Sequence, residues 1–263
     1  MSVISAYSDG VPFLSFLAMN ADGHVLISLN ADEPVYAAST IKLAVLVAAM
    51  RQVDAGMLSL DQPVAVTDTF MSRIAGAGRF SFEPDETDLG LPPNGETVSL
   101  AECLERMIRV SSNAATNLVV ERIGMPAVTE SLALMGAGSS SFERLISDHA
   151  ARDEGFSHAA TAHDLAAIMN SIVTGALCGP ASTAFMVEQL KNQAYPVIGA
   201  ALPPGATWGS KSGWVDGIHH DVAFVGEPGE PDSYVLAVCT RGFGNEHAQA
   251  VIAAVARGVQ LSH

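Results

Sequence analysis

Hydrophobic positions fall into runs whose texture changes twice along the 263 residues. Phe13–Met19 and His24–Leu29 are short apolar runs joined by Asn20-Ala21-Asp22-Gly23. Turn chemistry between two such runs predicts a β-hairpin. Leu43–Val53 is apolar nearly all round and lacks strand alternation, so it reads as a helix buried on every side. From about 56 to 190 no strand pair is evident. Ser99-Leu100-Ala101-Glu102 is a capping box that opens a helix running to about Val110. Asn113–Ile123 reads as a helix stopped by Gly124, with Pro126 restarting the next, and Thr161-Ala162-His163-Asp164 caps a further helix to about Thr174. From about Trp208 the texture returns to β. Ala223-Phe224-Val225 and Tyr234–Thr240 read as strands about the turn Gly226–Asp232, and Asn245 reads as the cap of a last helix, His247–Arg257.

Sheet material at both ends and helices between them predict an α/β (α+β) architecture. One sheet domain is expected from 1–55 together with 192–263, an all-helical domain from 56–191, and a site at their interface. The acidic, Pro- and Gly-rich stretch Glu83–Gly95 reads as a solvated surface loop, with a substrate lid as the alternative. A hydrophobic content of 49% against 16% charged residues excludes a disordered chain. The net charge of −15 repels phosphate backbones and anionic lipid, so neither a nucleic acid nor a membrane is an expected partner. Val11–Met19 has no basic residue before it and reads as a strand rather than an export signal. A cytoplasmic location is expected on that basis, or a periplasmic or secreted one if a signal has been removed. Cys103, Cys178 and Cys239 are odd in number and form no CxxC pair, which predicts neither a disulfide framework nor a zinc knuckle. His219 and His220 are neighbours on a strand and face opposite ways, so no metal site and no cofactor are expected.

Three short motifs carry the chemistry. In Ser39-Thr40-Ile41-Lys42, positions i and i+3 at a helix start share a face, so Lys42 Nζ can approach Ser39 Oγ. A serine becomes a nucleophile when a base takes its proton, and a lysine embedded in an apolar helix can be that base in its neutral form. Ser111-Ser112-Asn113 follows an amphipathic helix and would, alone, be a simple N-cap. Lys211-Ser212-Gly213 lies in the returning β region, where a lysine beside a hydroxyl can hold a carboxylate.

The order Ser-x-x-Lys, Ser-x-Asn, Lys-Ser-Gly resembles that of class A β-lactamases and related penicillin-recognising serine hydrolases. Met107-Ile108, Asn117-Leu118, Asp164-Leu165-Ala166 and Asp221-Val222-Ala223 resemble the family's local contexts, so the likeness covers nearly the whole chain. It implies a five-stranded antiparallel sheet flanked by helices, plus a helical domain. It further implies Ser39 as the acylated nucleophile, Lys42 as its base and Ser111 as the relay of a proton to the leaving nitrogen. Asn113 would hold the substrate's amide side chain, and Lys211, Ser212 and Gly213 its carboxylate end. The amides of Ser39 and Trp214 would form the oxyanion hole.

Two departures qualify this likeness. The family's Glu-x-x-Leu-Asn after Arg-Leu, which activates the deacylating water, is missing after Arg144-Leu145. Asp148 and His149 lie nearest the gap and are the candidate bases, a helix-cap aspartate and a surface histidine being the plain alternatives. His220 stands where some members place a carboxylate-binding arginine, and reads either as a substrate contact or as a structural histidine. The expected activity is hydrolysis of an amide, β-lactam-like bond through an acyl-enzyme on Ser39; the partner is a small-molecule amide or ester, and a monomer is favoured with the oligomeric state open. A related amidase, esterase or D-amino-acid peptidase is the alternative, and a sensor that acylates without turnover is the third reading.

Overall fold

The computed structural model describes residues 2–262. Its central sheet has five antiparallel strands: β1 (Phe13–Asn20), β2 (Val25–Leu29), β3 (Trp208–Val215), β4 (Ile218–Val225) and β5 (Tyr234–Arg241). Their order across the sheet is β3-β4-β5-β1-β2, so the strand carrying Lys211-Ser212-Gly213 is an edge. The hairpin read from the sequence is β1 and β2, and its second strand is exposed along its whole length at the opposite edge.

Nine α-helices accompany the sheet among the described residues: α1 (Lys42–Asp54), α2 (Leu100–Arg109), α3 (Asn113–Ile123), α4 (Met125–Leu134), α5 (His149–Asp153), α6 (Ala162–Val173), α7 (Pro180–Lys191), α8 (Ile198–Ala201) and α9 (Asn245–Ser262). The apolar texture of α1 becomes burial of every residue from Lys42 to Met50. It lies in the larger core, with α2, α3, α6 and one sheet face, while α8 and α9 cover the other face. Hydroxyl caps set the helix starts. Ser99 Oγ accepts from the Glu102 amide, Ser112 Oγ from that of Ala115 and Thr161 Oγ1 from that of Asp164.

Two findings differ from the sequence reading. Short strand pairs do occur between 56 and 190: 63–65 with 97–99, 69–71 with 79–81, and 141–142 with 158–160. Each is two or three residues long, too short to show a period of two. Asn245 is the first residue of α9, and its side-chain oxygen lies 2.6 Å from His219 Nδ1. Among the described residues no helix is long and apolar enough to cross a membrane.

Candidate active site

The chain leaves Val35-Tyr36, takes a 3-10 turn over Ala38–Ile41 and enters α1 at Lys42. Ala38 has φ +47°, an unusual conformation for a residue with a Cβ, and it turns Ser39 to the head of the buried helix. Ser39 is half-buried and lines two adjoining hollows of about 550 and 270 Å³. Glu86, Asn113 and Trp214 line both as well.

Behind Ser39, β3 comes close. A Cβ on Gly213 would lie 2.5 Å from the Ser39 nitrogen and 2.8 Å from that of Thr40. Only glycine lets the strand backbone sit against these two amides.

Two buried lysines converge on the Ser111 hydroxyl. Lys211 Nζ donates to Ser111 Oγ at 3.0 Å and to the Ser212 carbonyl at 2.7 Å. Lys42 Nζ donates to the Ser111 carbonyl at 2.7 Å and to Asn113 Oδ1 at 2.8 Å, and lies 3.4 Å from Ser111 Oγ. Ser111 itself has φ +59°, and its carbonyl and hydroxyl both meet lysine Nζ atoms. Burial, reinforced by Lys211, holds Lys42 well below the ordinary lysine range, against the opposing pull of Glu86 and Asp88. Burial also lowers Lys211 to about 7, although Asp221 favours its charged form. Ser212 Oγ is buried without a hydrogen-bond partner, an open valence behind the cleft.

Ser39, Ser111, Asn113 and Trp214 therefore share one cleft, with Lys42, Lys211, Ser212 and Gly213 packed behind it. The remaining candidates behave differently. His220 is fully buried, its Nε2 bonded to the Tyr36 carbonyl at 2.8 Å and its Nδ1 accepting from the Thr240 amide at 3.1 Å. Both ring nitrogens are thus spent on backbone, and the ring lines neither hollow. Asp148 caps α5 by accepting from the Ala151 amide, and also accepts from Ser72 Oγ at 2.8 Å and the Arg73 amide at 3.0 Å. It lines neither hollow either, whereas exposed His149 lines the smaller one.

Glu86 was not singled out by sequence reasoning. The stretch read as a solvated loop forms a wall of the larger hollow through Glu86, Thr87, Asp88, Leu89 and Gly90. Asn113 Nδ2 donates to Glu86 Oε1 at 3.3 Å, and Ser147 Oγ does so at 2.8 Å. Asp88 is occupied by Arg106, whose Nε donates at 2.8 Å, and by the Gly90 amide at 3.0 Å. The one available signal was indirect: an acidic loop preceding Ser-x-Asn in a chain with no glutamate after Arg144-Leu145.

A half-buried serine at a helix head, two buried lysines on a second hydroxyl, and glycine-backed amides are an arrangement that can carry out serine-dependent acyl transfer. A model of the β-lactamase enzyme family matches residues 2–260. The chain belongs to that family and is a serine hydrolase with its fold. The β-lactamase of Sphaerobacter thermophilus DSM 20745 is 25% identical, with 95% of this chain and 91% of that chain covered and a TM-score of 0.80. A β-lactamase of Xanthomonas campestris pv. campestris str. ATCC 33913 shares 22% identity over 96% of this chain and 91% of its own, with a TM-score of 0.78. A mutant of PBP-A, solved as its acyl-enzyme complex with penicillin G, shares 23% over 95% and 90%, also at 0.78. The last two bear on the fold alone.

Proposed function

We propose that the protein hydrolyses β-lactams through an acyl-enzyme on Ser39. The observation that carries this reading is the convergence of Lys42 and Lys211 on Ser111 Oγ, in the cleft that Ser39 lines. A neutral Lys42 has two N–H groups, which the Ser111 carbonyl and Asn113 Oδ1 satisfy, and a lone pair, on the side of Ser111 Oγ at 3.4 Å, to take the Ser39 proton. Ser39 Oγ then attacks the lactam carbonyl carbon. The developing oxyanion lies against the Ser39 and Trp214 amides, and such donors supply about two to three orders of magnitude in rate.

As the C–N bond breaks, Ser111 gives its proton to the leaving nitrogen and is reprotonated from Lys42. Lys211 and the unpartnered Ser212 hydroxyl hold the substrate carboxylate. Asn113 Nδ2 keeps one N–H on Glu86 and offers the other to the carbonyl of the substrate's side chain. Trp214, 43% exposed and packed edge-on to Tyr195 at 5.3 Å, borders the entrance. All these groups come from one chain, which supports a monomer acting on a small molecule.

A second reading is an amidase or peptidase that β-lactams acylate without turnover. It is favoured by Asp148 being tied into structure, where sequence reasoning placed a deacylating base. The test is a time course of intact mass with excess benzylpenicillin, with penicilloate quantified. We expect acylation of the native protein and none of Ser39→Ala. An adduct on the alanine variant, or neither adduct nor product on the native protein, would refute the reading.

A further inference from the structure

We infer that Glu86 is the general base that activates the water releasing the acyl group from Ser39. This rests on the acyl-enzyme reading above. An acyl-serine ester inside a cleft persists unless a base removes a proton from the attacking water. The carboxylates lining the larger hollow are Glu86 and Asp88, and only one has room to act. Both Asp88 oxygens accept from Arg106, and one also accepts from the Gly90 amide. Among the described residues, Glu86 is held by Ser147 and Asn113, both through Oε1, and none bonds Oε2.

The glutamate is also well placed electrically. Asn113 bridges it to Lys42, donating through Nδ2 to Glu86 and accepting through Oδ1 from Lys42 Nζ. Glu86 lines both hollows that Ser39 lines, so the two side chains border the same space. The 3-10 turn Pro84–Glu86 carries the side chain, and Ser147, in the segment before α5, donates to it.

The step balances within the protein. Glu86 Oε2 takes one proton from water as the water oxygen bonds to the acyl carbon. The carbonyl electrons move onto its oxygen, against the Ser39 and Trp214 amides. On collapse the bond from carbon to Ser39 Oγ breaks, and Ser39 regains the proton held by Glu86. The products are a free carboxylic acid and the original serine.

The test compares the native protein with Glu86→Gln, Glu86→Asp and Glu83→Gln, a charge-matched change in the same loop, using benzylpenicillin. Acylation is followed by quenched intact mass and turnover by penicilloate release. Native turnover, with Glu86→Gln acylated at a native rate but released at least about a hundredfold more slowly, is the expected result. Glu86→Asp should keep part of the turnover, and Glu83→Gln all of it. An amide at position 86 that still releases product at the native rate would overturn the assignment. So would a native protein that acylates but never turns over, or a Glu86→Gln chain that no longer acylates while melting normally. If Glu86→Gln melts early, loss of turnover in a normally folded Glu86→Asp carries the test, and its unchanged release rate refutes the assignment. A native protein that neither acylates nor turns over removes the acyl-enzyme reading and this inference with it.

Discussion

Replacing Gly213 by alanine should disable acylation while leaving the fold in place. The added Cβ would lie 2.5 Å from the Ser39 nitrogen, 2.8 Å from the Thr40 nitrogen and 3.1 Å from the Ser39 Cα. All three are backbone atoms at the head of α1, so no side chain can swing aside. Ordinary contact begins at 3.4 Å, so strand and helix head must part by about 0.9 Å. A misplacement of about 1 Å in a reacting group costs about a hundredfold in rate, and loss of one oxyanion donor costs a similar factor or more. We therefore expect acylation by benzylpenicillin to fall by about two to three orders of magnitude. Overpacking of this kind costs about 1–3 kcal/mol, which lowers Tm by several degrees in a chain of this size without unfolding it. Rapid-quench intact mass gives the acylation rate, and calorimetry gives Tm. An alanine variant that acylates within about threefold of the native rate would show that the close approach of β3 does not shape the oxyanion site.

Four further outcomes follow from the same geometry. Lys211 titrates at about 7 in the free protein, so it is charged below that pH and neutral above it. For a substrate bearing a carboxylate, kcat/KM should fall above about pH 7, while the methyl ester of that substrate should lack this limb; a shared limb would remove Lys211 as the carboxylate partner. The unfolded chain keeps this lysine protonated to about 10.5, so it binds more protons than the folded one between about 7 and 10.5. Stability from this group should therefore rise with pH across that window, as denaturant midpoints would show for the native protein against Lys211→Met. Lys42→Ala should slow acylation by about two to four orders of magnitude, and an unchanged rate excludes Lys42 as the base. Asp148→Ala strands donors on Ser72, Arg73 and Ala151 and should cost about 2–4 kcal/mol in a denaturant titration, with acylation retained. Loss of acylation in a chain of native stability would return Asp148 to the chemistry.

What could be read from the sequence was what local pattern controls. Ser99 and Thr161 cap helices because a hydroxyl two or three residues ahead of an amide is a local arrangement, visible in a tetrapeptide. Lys42 stood out because a charge inside an unbroken apolar run demands a partner, although the partners, Ser111 and Asn113, lie 69 and 71 residues away. Its Nζ is engaged by them rather than bonded to Ser39, which spacing within one helix could not foretell. His220 and Glu86 were hidden for opposite reasons. The histidine looked available because strand alternation says nothing of a carbonyl from Tyr36 arriving 184 residues away. The glutamate looked solvated because a Pro- and Gly-rich acidic loop carries no periodicity from which a facing direction can be inferred. The strand pair 63–65 with 97–99 was lost for a third reason, since three residues give only one and a half repeats of a period of two.

Backbone strain gathers where the chemistry is proposed. Among the described residues, four that are not glycine have positive φ: Asn30 at 48°, Ala38 at 47°, Ser111 at 59° and Ser147 at 63°. Three of these border the cleft. Ala38 precedes the nucleophile, Ser111 receives both lysines, and Ser147 donates to Glu86. Each such residue costs about 1–3 kcal/mol and persists only where its surroundings impose it. At Ala38 those surroundings are a buried backbone, with the side chain 6% exposed. Ala38→Gly would remove a left-handed cost of about 1–2 kcal/mol and add an unfolded-chain entropy cost of about 0.5–1 kcal/mol, so Tm should stay within a few degrees. Ala38→Val puts a β-branched side chain into the same left-handed backbone, and should lower Tm sharply and slow acylation. The contrast between glycine and valine separates strain from loss of a methyl contact, because loss of contact alone would make glycine the worse variant. Valine melting at the native temperature and acylating at the native rate would mean that the turn before Ser39 is not strained and does not set the nucleophile's position.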